Sequence, residues 1–160
     1  MSAIASFIKM PKTALDGLRE ATVPKKSLFG TPRDVFPDYL RKHGRDVAQY
    51  EWSGYVLATL LPYLAKEHQI DLMKSEHREL SAFLAQAREA TYFIFTTAHK
   101  QAYLAKLDGQ FSEEKLRDYY NKFNASNEAE VGKPMLDGVD ALKQSLSALD
   151  EGSVIVLSIG

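Results

Sequence analysis

The segment "SVIVLSI", Ser153–Ile159, most constrains what this chain can fold into. It is rich in β-branched residues and reads as a strand. Side chains alternate along a strand, so Val154 and Val156 point one way and Ile155, Leu157 and Ile159 the other. Both faces are apolar. A strand of that kind belongs in the middle of a sheet, with packing on both sides. "AIASFIKM" (residues 3–10) and "TYFIFT" (residues 91–96) have the same character. The expected fold is therefore α+β, a small mixed sheet of three or more strands including both chain termini, packed with about six helices. At 160 residues it forms one domain, residues 1–160.

The helices follow from apolar spacing. "PKTALDGLREA" places Pro11 at N1 and turns Leu15 and Leu18 inward. "FPDYLRKHG" ends at Gly44. "QYEWSGYVLATLLPYLAKEH" holds the only tryptophan and the densest apolar run. Its apolar part, residues 52–65, falls short of the roughly 20 residues a spanning helix needs, so it reads as a buried helix. Ser53 is its N-cap, and Pro62 predicts a kink or break near Leu61. "SEHRELSAFLAQAREA" carries Leu80, Phe83, Leu84 and Ala87 on one face. Thr97 can cap "AHKQAYLAKL". Ser112 caps "SEEKLRDYYNKF", whose Leu116, Tyr119, Tyr120 and Phe123 share a face. In "KPMLDGVDALKQSLSALDEG", Met135, Val139, Leu142, Leu146 and Leu149 form one stripe. Residues 22–34 and 124–133 read as loops.

Net charge is −1, which argues against a nucleic-acid partner, because phosphate binding calls for a positive excess. There is no cysteine, so thiolate metal sites and cysteine nucleophiles are excluded. The stretch "MSAIASFIKMPK" has no cation ahead of a short apolar run. It reads as a strand, not a signal peptide, and the expected location is cytoplasmic with no membrane contact.

No chemical motif stands out. His43, His68, His77 and His99 do not show convergent ligand spacing, and neither a metal nor another cofactor is expected. "WSG" is not a nucleophile elbow, and Ser53 serves as a cap. The Lys25, Lys26 and Arg33 cluster reads as a solvated loop that could meet an acidic partner or a phosphate. Aromatic residues are the richer signal. Tyr50, Trp52, Tyr55 and Tyr63 cluster, and Tyr92, Tyr103, Tyr119 and Tyr120 follow. Tyrosine and tryptophan suit both cores and interfaces.

Three blocks resemble the YfbM-like bacterial proteins of unknown function. They are the opening strand followed by "LDGL", the "YEWSGYVLATLL" segment, and "ATYFIFTTAHKQAYLAKLDGQFSEEKLRDYYN" with the closing "LKQSLSALDEGSVIVLSIG". Trp52 and Gly54 are the most distinctive agreements. Ser53 stands where the family has histidine and Tyr50 where it has lysine, so a polar site using those two is not implied. The resemblance implies an α+β fold and no activity.

The leading functional expectation is a non-catalytic protein-binding module, of which immunity to a toxin is one form. An exposed tyrosine–tryptophan edge at Tyr50, Trp52 and Tyr55, or an acidic patch with Glu128 and Glu130, would face a basic partner. The alternative is a small-molecule-binding domain or enzyme whose pocket uses Tyr92, His99 or Trp52. The chain is a monomer, or a homodimer joined through the Trp52 helix or the terminal stripe.

Overall fold

In the computed structural model, which describes residues 2–160, the elements in chain order are as follows. β1 (Ala5–Pro11) runs through a 3-10 turn into α1 (Leu15–Ala21). Next come α2 (Phe36–His43), β2 (Arg45–Ala48), α3 (Gly54–His68) and α4 (Arg78–Arg88). β3 (Thr91–Phe95), α5 (Thr97–Leu107), α6 (Glu113–Asn124), α7 (Gly132–Ser147) and β4 (Ser153–Ile159) complete the fold.

The strand order is β2-β1-β4-β3. The two strands nearest the termini form the middle of the sheet, as the two-faced pattern of β4 requires. All three pairings are antiparallel, so strand directions are not mixed. β1 and β3 both run against β4, and β2 runs against β1.

Alternation along the strands divides the interior in two. Ala5, Phe7, Phe93, Phe95, Ile155, Leu157 and Ile159 face a larger core built with α3, α5, α6 and α7. Ile8, Met10, Tyr92, Ile94, Val154 and Val156 face a smaller one under α1, α2 and α4. The result is three layers, with the sheet between two helical layers. The α7 stripe from Met135 to Leu149 is buried to within 2% exposure, and Leu57, Leu60, Leu61 and Leu64 of α3 to within 1%. Both apolar faces are consumed inside the chain. Among the described residues no helix is long and apolar enough to cross a membrane.

Several local expectations are corrected. Pro11 is not at N1 of a helix but caps the 3-10 turn Lys12–Ala14. It ends β1 opposite Ser153, and Lys12 N–H continues the pairing to Gly152 O at 2.8 Å. With φ −58° and ψ 137° its backbone is extended, and as a strand's last residue it forfeits no needed donor. Pro62 does not break α3, which runs uninterrupted to His68. The one missing donor is outweighed by burial of the leucines around it. The N-cap of α5 is Thr96, not Thr97. β2 is an extra strand. It is four residues long, carries two charged side chains, and shifts register where it meets Phe7 and Ile8, all features that blunt a sheet edge.

His77 sits before α4 with its Nε2 buried and without a hydrogen bond, 3.7 Å from Glu76 Oε1, and Ser81 Oγ is likewise buried without one. Burial holds the imidazole below its ordinary pKa of 6.5; the Glu76 charge opposes this, and Lys12 and His99 add to it. The unfolded chain then takes up the proton first. This contribution to stability is complete above pH 6.5 and is lost as pH falls through that value. A His77→Leu variant is expected to lose less of its melting temperature between pH 7 and pH 5 than the parent. An identical slope in the two proteins would overturn the assignment.

Candidate functional site

The site begins where β2 hands over to α3. Tyr50 is buried, 8% exposed, and its hydroxyl donates to Pro134 O at 3.0 Å. Burial pushes its pKa up, with the Asp137 charge adding to the effect. Tyr50 is thus an anchor that pins this strap to the first turn of α7. Gly138 lets α7 pack closely on α3 beneath this strap, since a Cβ there would lie 2.8 Å from Leu60 Cδ2.

Past the anchor the chain surfaces. Trp52 is 44% exposed and Tyr55 52%. The Trp52 indole N–H donates to Asp137 Oδ2 at 2.8 Å, and Lys133 Nζ reaches the same carboxylate at 2.8 Å and 2.9 Å. Burial would raise the Asp137 carboxyl, but the hydrogen bonds from Lys133 and Trp52 hold it below the usual carboxylate range. Ser53 caps α3 by accepting from Tyr55 N–H at 3.4 Å. Directly afterwards, Gly54 N–H donates to Ala3 O at 2.8 Å. A Cβ at Gly54 would lie 2.7 Å from Ile159 Cγ2, so glycine at this position is explained by close approach to the sheet.

Around the indole lies a groove of about 260 Å³, lined by Glu51, Trp52, Asp137, Asp140 and Gln144 with the edge of Tyr50. Three carboxylates share it, and Lys133 is bonded to only one of them. Polar and aromatic surface with net negative charge suits a cationic side chain, which can stack on indole and pair with carboxylate. Glu128 and Glu130 are exposed in the loop before α7. Phe123 is exposed at 58%, stacked on Tyr119 with ring centroids 5.8 Å apart, although Leu116 and Tyr120 of the same helix are buried.

Of the five residues picked out from sequence, Tyr50 and Trp52 line this groove, and Tyr55 is exposed on the first turn of α3 outside it. Tyr92 lies in the smaller core, edge-on to Phe36 at 6.3 Å. His99 is 6% exposed and knits two segments together. Its Nδ1 accepts from Thr96 N–H at 2.9 Å, and its Nε2 donates to Lys74 O at 2.5 Å. Sequence reasoning missed Asp137 and Asp140. Their spacing on the polar side of α7 was visible, but their closeness to a tryptophan 85 positions before Asp137 was not.

Among the described residues no group of three or more histidines and carboxylates could hold a metal ion. No family model, no curated protein and no solved structure matches the chain.

Proposed function

We propose that this chain is a non-catalytic protein-binding module whose contact surface is the Trp52 edge, and that its partner presents basic side chains there. One observation carries the reading: a half-exposed tryptophan, fixed by its own hydrogen bond to Asp137, stands in a groove with Glu51 and Asp140. Rigid aromatic anchors of this kind dominate binding energy at interfaces. The wider charge pattern agrees. Between Asp108 and Glu151, carboxylates outnumber lysines and arginines by ten to five. An immunity-type role, with a basic toxin as partner, is the specific form of this proposal. Kinship with the YfbM-like proteins is part of it too, supported by the Trp52 and Gly54 agreement.

Trp52 is the only tryptophan, so its fluorescence reports this site alone. Titration with lysine- and arginine-rich peptides is expected to give a saturable change that acidic peptides of equal length do not. Asp140→Lys is expected to weaken binding about tenfold, and Trp52→Ala, followed by calorimetry, about thirtyfold or more. Equal responses to basic and acidic peptides, or none to either, would count against the proposal.

A further inference from the structure

The loop between α1 and α2 carries the most exposed apolar side chains of the described residues, Leu28 at 95% and Phe29 at 93%. They are adjacent, at the outermost part of the loop. The loop is built rather than slack. Lys25 and Arg33 exchange backbone hydrogen bonds of 3.1 Å and 3.2 Å, which close its base. Ser27 Oγ accepts from Phe29 N–H at 3.2 Å and donates to Phe29 O at 2.8 Å, which shapes the tip.

Below the tip is a groove of about 520 Å³ against α1 and α2, with Lys25, Arg33, Lys42 and His43 in its wall together with Glu20 and Asp38. Asp38 is already engaged by Arg33 and Arg41. Lys25, Lys26 and Lys42 form no ion pair among the described residues. From Thr22 to Arg45 there are six cations and two carboxylates, in a chain whose net charge is −1. This basic segment packs on the small-core side of the sheet, while acidic α6 and α7 lie on the other.

We infer that this loop and the basic layer behind it dock on the surface of an anionic lipid bilayer, with Leu28 and Phe29 entering the interface and Lys25, Lys26 and Lys42 meeting the headgroups. A convex tip of two side chains cannot form the roughly 800 Å² per partner of a stable protein interface. A bilayer needs no matching cavity. It accepts a small apolar wedge and gains from diffuse cations within a Debye length of its surface. Contact of this kind requires no spanning helix. In this orientation the acidic layer and the Trp52 edge face away from the lipid. The inference does not depend on the Trp52 proposal.

The test is sedimentation of the full chain with vesicles of phosphatidylcholine alone, and with vesicles that also contain phosphatidylglycerol. Binding is expected only to the anionic vesicles and to decline with salt. Leu28→Ser with Phe29→Ser, and separately Lys25→Glu with Lys26→Glu, are each expected to reduce it about tenfold or more. All four positions are exposed, so an unchanged melting temperature serves as the folding control. Trp52→Ala is expected to bind vesicles like the parent. Absence of binding to anionic vesicles at low salt would overturn the inference. So would binding that the Leu28/Phe29 variant retains in full, which is adsorption by charge alone. If vesicles are ignored but the tip variant loses a protein partner bound by the parent, the tip belongs to a protein interface and the inference is wrong.

Discussion

Phe7→Ala is expected to destabilise the fold by about 3–5 kcal/mol, the range for emptying a buried phenylalanine site. Phe7 is 0% exposed and lies on β1, where it pairs with Leu157 of β4 and Ala48 of β2. Its ring belongs to the larger core, and a truncation there leaves a void on a central strand. For a domain of this size the loss corresponds to a fall of roughly 6–20 °C in melting temperature. Phe7→Leu, which keeps most of the volume, is expected to lose less than half as much. Chemical denaturation of both variants measures the difference. A loss under about 1 kcal/mol for Phe7→Ala would show that β1 is not central to the core.

His99→Phe is expected to have the second largest effect, about 2–4 kcal/mol, even though it preserves an aromatic ring. The mechanism differs from that of Phe7. The ring's two nitrogens serve the Thr96 N–H and the Lys74 carbonyl, and phenylalanine leaves both without a partner. Unmade hydrogen bonds in a buried setting cost more than made ones contribute. The Lys74 contact ties the segment between α3 and α4 to the start of α5. Amide exchange in residues 70–76 should therefore quicken beyond what global destabilisation gives. Peptide binding at Trp52 should not change. If stability held and exchange stayed slow, the bridging role of His99 would be refuted.

How legible each feature was depended on how local its cause is. The central place of β4 could be read because alternation and two-sided apolarity both reside within seven residues. The α7 stripe was legible for the same reason, and so were the caps Ser53 and Ser112. β2 was not, because four residues with two charges carry no period of their own. It is a strand because Phe7, Ile8 and Lys9 offer it a partner. His99 reads from sequence as a candidate pocket residue, because its spacing to Thr96 suggests nothing until Lys74, 25 residues back, is folded against it. At the candidate site the aromatics were visible and the carboxylates were not, since Asp137 becomes part of it only when α7 packs beside the Trp52 strap. Phe123 matched the inward face of α6 by spacing but lies past the point where that helix is covered.

The strand order bears on how the chain is synthesised. β1 emerges before its central partner β4, and the elements between them are all made in the interval. Ile4 and Gly160 bond to each other in both directions, at 2.9 Å and 3.1 Å, so the pairing of the two middle strands joins residues more than 150 positions apart. Such distant pairing raises the contact order and slows folding. While the chain is still on the ribosome, β1 with β2 and β3 by itself are separate pieces with their apolar faces uncovered. A chain that stops before Ser153 has no middle strand to join them, and both pieces keep open edges that can pair with other chains.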